Sequence, residues 1–269
     1  MDNPNLDSQA IFSALLPEVS ATICLHVFES VSSTNDEVRH FINTQPGKIV
    51  TVLADTQTQG RGRLGRRWHS PPHGNLYLSL GYPFDCPLNE LSGMSLAVGA
   101  MIAAAIDEFY GVDLQLKWPN DLYHDGQKIG GILVESTSLT NQRQSSVIGL
   151  GLNANMPQGL DADIDQPWTD LRMATGGIID RNSLASTVLN ALIPGLEIFA
   201  SDGFEPWRAE WSMRDFLRDR FVLVEGTDPV SGTAAGVTAS GALLLVSNGA
   251  LREVFGGEVS LLEVGKRKE

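Results

Sequence analysis

The chain has 269 residues, 42% of them hydrophobic and 19% charged, with a formal net charge of −13. It is long enough to bury a sizeable core, in one large domain or a large one plus a small one, and its composition is ordinary for a globular protein. So acidic a chain is not expected to be a general nucleic-acid binder, which needs a basic face. Its two cysteines, Cys24 and Cys86, form neither a disulfide framework nor a metal-ligand pattern and fit a reducing compartment.

The first twenty residues are acidic and lack the basic flank and apolar core of a signal peptide. Thr34 can cap a helix, with Glu37 at the capping-box position, and that helix is predicted to run to about Asn43, before Pro46-Gly47. The β-branched run IVTVLAD (49–55) reads as a buried strand, and NLYLSLGYPF (75–84) alternates like one. An Ala-rich helix is predicted over 91–110, closed by Gly111. Its apolar stretch 94–106 is too short to span a bilayer and reads as a buried helix. LQLKWPND (114–121) is a strand ended by Pro119, and Asp125-Gly126 is a hairpin turn joining 122–124 to 128–135. SVIGLGLNAN (146–155) is a further strand, and helices follow at 183–200 and about 204–213. From Phe221 the pattern changes to short strands with an Asn248-Gly249 turn. The whole predicts an α+β fold with a separate small barrel of about 50 residues.

Gly60-Arg61-Gly62-Arg63-Leu64-Gly65 has the spacing of a dinucleotide-binding fingerprint, but that reading needs a helix to begin at the last glycines. The continuation RRWHSPPHGN breaks helices, and no acidic residue follows at the right distance. Read on its own, the loop suits an anion cradle. Glycines admit backbone N–H groups to a phosphate, and Arg61, Arg63, Arg66 and Arg67 supply planar forks for its oxygens. A solvated basic turn is the bland alternative.

Lys117-Trp118-Pro119-Asn120-Asp121 precedes KIGGILVE (128–135), so a hairpin carries Lys117 and Asp121 on one arm and Lys128 on the other. A lysine entering an apolar strand needs an anion or a carboxylate for its ammonium, unless it guards an edge. Gly130-Gly131 favours close approach of a ligand. Asp161, Asp163 and Asp165 begin like a calcium loop, but Gln166 and Arg172 occupy its glycine and glutamate positions. His69 and His73 straddle Pro71-Pro72 and cannot share a helix face, and neither a nucleophile elbow nor a P-loop occurs.

STN (33–35), QTQGRGRLGRRW (57–68), NLYLS (75–79), KWPNDL (117–122), KIGGILVE (128–135) and GLGLNAN (149–155), with IDRNSLA and GGEVSL further on, together resemble the biotin–protein ligases. The resemblance runs from about residue 25 to the end. It implies a mixed-sheet, class II synthetase-like catalytic domain over 1–217 and a small SH3-like β-barrel over 218–269. It also implies an enzyme that uses ATP and Mg²⁺ to form biotinyl-5′-AMP, then passes biotin to a lysine of a carrier. The family expectation for that carrier is the biotin carboxyl carrier protein of acetyl-CoA carboxylase.

By the same resemblance Ser33, Thr34 and Gln57 bind biotin's ureido ring, helped by backbone near Gly60 and Arg61, with Asn35, Trp68, Gly130 and Gly131 among the other biotin-binding residues. Arg63 contacts the phosphate, and Lys128 neutralises the carboxylate and the α-phosphate. Asn153 and Trp168 take the adenine, Arg66 and Asn120 lie on the nucleotide side, and Lys117 and Asp121 flank the reacting centre. The chemistry suits these residue types, because two anions must meet and their junction needs cations. Some family members carry an N-terminal DNA-binding domain; about 30 residues before Ser33 are too few for one, so no nucleic-acid binding is expected. A cytoplasmic protein with no membrane contact is expected, as monomer or homodimer. The rivals are a lipoate–protein ligase, which lacks GRGRLGRRW in this form, a degenerate sensor, and a dinucleotide-dependent oxidoreductase.

Overall fold

The computed structural model describes residues 5–262 except 45–47, 141–142, 158–163, 165 and 227; the acidic trio Asp161, Asp163 and Asp165 lies outside the described residues. In chain order come α1 (Ser8–Ser13), α2 (Pro17–Ser20), β1 (Ile23–Val31), α3 (Thr34–Thr44), β2 (Ile49–Gln57), β3 (Leu76–Phe84) and α4 (Met94–Tyr110). Then follow β4 (Gln115–Lys117), β5 (Asp121–His124), β6 (Gln127–Thr140), β7 (Arg143–Leu152), α5 (Leu171–Thr175), α6 (Arg181–Asp202) and α7 (Glu205–Met213). Five short strands close the chain: β8 (Phe221–Glu225), β9 (Val230–Val237), β10 (Leu243–Ser247), β11 (Ala250–Val254) and β12 (Glu258–Leu261).

A seven-stranded mixed sheet, ordered β1-β2-β3-β7-β6-β5-β4, forms the first layer. Only β1–β2 is parallel; every other pair is antiparallel. Asp125 and Gly126 both have positive φ, which gives the β5–β6 turn the twist a two-residue hairpin requires. α3 lies on one face, where Val38 and Ile42 meet Val50, Val52 and Val147. It comes so close that a Cβ on Gly81 would stand 2.5 Å from Ile42. α4 and α6 cover the other face and cross where Gly195 admits Met101. A buried ion pair, Arg181 to Asp55 at 2.6 Å, ties the start of α6 to β2.

Three expectations change. β3 was expected to alternate, yet seven of its nine residues in a row are buried, because helices cover both faces of the central strands. Thr34 does not cap α3; it is the first helical residue, and its hydroxyl bonds Gln57 instead. β1, an edge strand of mixed exposure without clear alternation, was not foreseen, nor were the short α1, α2 and α5. By length and composition, 89–110 and Arg181–Asp202 would each pass as membrane spans, but 67% and 61% of them is buried inside the protein.

The second sheet, ordered β11-β10-β9-β8-β12, is antiparallel and forms the small SH3-like unit. One apolar core runs from the first sheet through Trp211, Phe216 and Leu217 to Val222 and Leu243, and Trp118 Nε1 donates to Gly241 O at 3.0 Å.

Candidate active site

A cleft of about 860 Å³ opens between the start of α3, the paired β6 and β7, and the loop after β2. Its floor carries Ser33, Thr34 and Asn35, all buried, where the chain leaves β1 and turns into α3. Gln57, the last residue of β2, faces them. Its Oε1 accepts from the Thr34 amide at 2.9 Å and the Thr34 hydroxyl at 3.1 Å, while Nε2 donates to Ser70 Oγ at 3.2 Å. Ser79 Oγ sits 2.7 Å from Thr34 Oγ1 and 2.6 Å from Asn35 Oδ1. Asn35 Nδ2 donates to Glu135 Oε2 at 2.6 Å. Each amide is therefore held in one orientation by its neighbours.

The loop over the cleft is a closed turn. Trp68 N donates to Gly60 O at 2.9 Å and Gly62 N to Arg66 O at 2.7 Å. At its tip Leu64 (φ 55°) and Gly65 (φ 74°) are left-handed. Gly60 serves the base of this turn, since a Cβ there would lie 2.8 Å from Trp68 O. Across from the loop, Gly149 and Gly151 leave space for the floor and the roof. A Cβ would stand 2.4 Å from Asn35 Oδ1 in the first case and 2.5 Å from the Trp68 indole in the second.

Four cations surround the open end. Lys128 Nζ pairs with Asp121 Oδ1 at 2.7 Å and lies 5.6 Å from the Trp68 ring centre, so the strand lysine does meet a carboxylate. Arg63 is turned inward, with Nη1 at 3.4 Å from Asn120 Oδ1 and from Gly257 O, and its burial lowers its pKa. Arg66 reaches Glu258 of β12. Arg61 is bound by both Asp36 oxygens, at 2.6 and 2.7 Å.

A second hollow of about 430 Å³ adjoins the first and shares Arg67, Trp68, Lys128 and Gln166 with it. Asn153, Met156, Ile164 and Trp168 line it. The segment around Trp168 is laced to β6, Lys128 N donating to Pro167 O at 3.1 Å and Thr169 N to Lys128 O at 3.0 Å. Lys128 thus stands where the two hollows meet.

Of the residues singled out in the sequence, Ser33, Thr34, Asn35, Gln57, Arg61, Arg63, Arg66, Trp68, Asn120, Asp121, Lys128 and Gly131 line the first hollow, and Asn153 and Trp168 the second. Lys117 faces a small neighbouring crevice with Asn120 and Asp121; burial lowers its pKa, and its ammonium lies 5.4 Å from the Tyr123 ring centre. Gly130 lines neither hollow. Its missing Cβ makes room for Gly151 O, Leu122 and Leu152. Sequence reasoning missed Asp36, Ser79, Glu135, Gly149, Gly151, Gln166 and Glu258. The alternating glycines of IGLGLN were a usable signal for two of them; Glu258 had none, because its partner is 192 residues away.

Residues 27–153 match the profile of the biotin/lipoate A/B protein ligase family, and residues 220–262 that of the biotin protein ligase C terminal domain. The chain is 36% identical over 215 residues to the bifunctional ligase/repressor BirA of Escherichia coli, covering 80% of this chain and 67% of that one. It is 30% identical to the biotin–[acetyl-CoA-carboxylase] ligase of Mycobacterium tuberculosis, over 95% of this chain and 96% of the other. Among solved structures, the biotin protein ligase from Aquifex aeolicus in complex with biotin and ATP superposes with a TM-score of 0.75 at 28% identity, over 88% of this chain and 98% of that one.

Proposed function

Because the chain belongs to the biotin/lipoate A/B protein ligase family and is a biotin–protein ligase, we propose that it joins biotin to AMP at Lys128 and then hands biotin to a lysine of a carrier protein. The observation that carries this reading is the meeting of the two hollows at Lys128. One hollow has a polar floor and apolar walls, the other an indole and an amide. A carboxylate in the first and a phosphate from the second would converge on one ammonium.

The floor favours a cyclic urea. Gln57 Oε1 already accepts two hydrogen bonds, so the free capacity of that amide is one N–H of Nε2, a donor for a carbonyl oxygen. Asn35 Oδ1, facing Ser79, retains a lone pair for a ring N–H. A dithiolane ring would leave these groups unpaired, which is costly when they are buried.

In the first step a carboxylate oxygen of biotin attacks the α-phosphorus, and the bond to the bridging oxygen of pyrophosphate breaks. Arg63 and Lys128 face the charge gathered there. Trp168 stacks on the adenine and Asn153 reads its edge. Asp121 pairs with Lys128; a phosphate bound beside it would take over Lys128 and free Asp121. In the second step the carrier amine attacks the acyl carbon, AMP leaves, and Asp121 accepts the amine's proton. Mg²⁺ would arrive with the triphosphate and neutralise its charge, and Asp121, Asn120 and Glu258 line the cleft with oxygens that would face it. The carrier is the biotin carboxyl carrier protein of acetyl-CoA carboxylase, and the setting is the cytoplasm.

The test is ATP–pyrophosphate exchange with biotin or with lipoate as the only acid present. Exchange with biotin alone supports the reading, and exchange with lipoate alone overturns it. A second arm adds the carrier domain and follows biotin incorporation.

A further inference from the structure

The loop arginines are not equivalent. Arg61 makes two parallel bonds to Asp36, at 2.6 and 2.7 Å, in the geometry that gives guanidinium–carboxylate pairs their strength. Asp36 Oδ1 also receives Arg39 Nη1 at 2.6 Å, Arg39 Nη2 pairs with Glu135 Oε2 at 2.6 Å, and the same oxygen accepts Asn35 Nδ2 at 2.6 Å. Two arginines and two carboxylates alternate along one line, and its far end is an amide in the cleft floor. Their side chains are about a third exposed, where isolated pairs contribute little. Here, though, the Arg61–Asp36 pair is bidentate, and Asp36, Arg39 and Glu135 each have two partners.

Resting on the biotin-ligase reading above, we infer that Asp36 is a positioning residue. It clamps the base of the Gly/Arg loop through Arg61, and Arg39 and Glu135 carry the clamp to Asn35 beneath biotin. Arg61 is then an anchor, and the phosphate is left to Arg63, Arg66 and Arg67. The base is fixed from both sides, since Arg61 also bridges Arg67 across the turn. At the tip the turn is roomier, since a Cβ on Gly62 would meet nothing nearer than 3.8 Å. Asn35 has no second orientation available, because Gly149 backs its oxygen and Glu135 and Ser79 hold its two ends.

The experiment compares Asp36→Ala, the isosteric Asp36→Asn, Arg61→Ala and the Asp36→Ala/Arg61→Ala double variant with the parent enzyme. The readouts are KM for biotin, the release rate of biotinyl-adenylate, and kcat for transfer at saturating substrate. Loss of the clamp is expected to raise KM for biotin and the release rate about tenfold, the scale of one charge-assisted pair, with kcat within about twofold. The double variant is expected to be no worse than Asp36→Ala alone, because that substitution already removes the Arg61 pair along with the Arg39 one. Arg61→Lys should restore part of the loss. Unchanged KM and release rate in Asp36→Asn overturn the inference. So does a double variant whose losses multiply, which would make Arg61 a direct phosphate ligand. A parent enzyme without biotin-dependent pyrophosphate exchange marks failure of the functional reading instead.

Discussion

Arg66, in the loop over the cleft, and Glu258, at the start of the last strand, form an ion pair that joins the C-terminal sheet to the rim of the cleft. Arg63 reinforces it through Gly257 O at 3.4 Å. The small sheet is therefore a wall of the site, although nothing in its own residues announced this.

Replacing Glu258 by Gln should loosen that wall without unfolding it. Arg66 is 70% exposed, so the pair is screened and its contribution is small. KM for ATP is expected to rise about two- to fivefold at low ionic strength, and the gap from the parent should close as salt is added. A difference independent of salt would mean that Glu258 acts by packing.

Lys128→Ala removes the ammonium shared by the two hollows and leaves Asp121 without its partner at 2.7 Å. Biotin-dependent pyrophosphate exchange should fall by about 10²- to 10³-fold, the usual loss for one group facing developing charge. Transfer from chemically prepared biotinyl-adenylate should suffer less. Equal losses in both half-reactions would place Lys128 outside the first step.

Three glycine substitutions separate space from flexibility. Gly151→Ala would set a methyl 2.5 Å from the Trp68 indole and Gly149→Ala one 2.4 Å from Asn35 Oδ1, so the roof shifts in one variant and the floor in the other. Tryptophan fluorescence should change for Gly151→Ala, and KM for biotin should rise for both. Gly62→Ala, with its nearest neighbour 3.8 Å away and a φ of −102°, is expected to bind biotin as the parent does.

Asp215, between α7 and β8, makes stability depend on pH. Burial pushes its pKa up from 3.8 to about 6; Oδ1 accepts from Leu217 N at 2.9 Å, while Oδ2 is buried without a partner. Between those two values the unfolded chain has released the proton and the folded one still holds it, so stability falls as pH rises through this window. Above it the full cost of a buried carboxylate is present. Asp215→Asn keeps the Leu217 bond and removes the charge, so it should stabilise by about 1–3 kcal/mol near neutral pH and by almost nothing near about pH 4. Parallel Tm-against-pH curves for parent and variant would contradict this.

The elements of the sheet and the long helices were legible because they follow local rules. Apolar periodicity marked α4 and α6, Asp125-Gly126 marked the hairpin, and the prolines after the Gly/Arg loop excluded a dinucleotide helix. The motifs also named most residues that line the two hollows, since each motif is a short stretch whose side chains enter the site together. What the sequence could not supply was pairing between distant segments. Whether an arginine faces Asp36, Glu258 or the open cleft depends on which strands lie beside the loop, and no local preference encodes that. The tertiary structure decided it. It paired Arg61 with Asp36, turned Arg63 inward, set Lys128 between the two hollows, and brought Glu258 to the rim across 192 residues of chain.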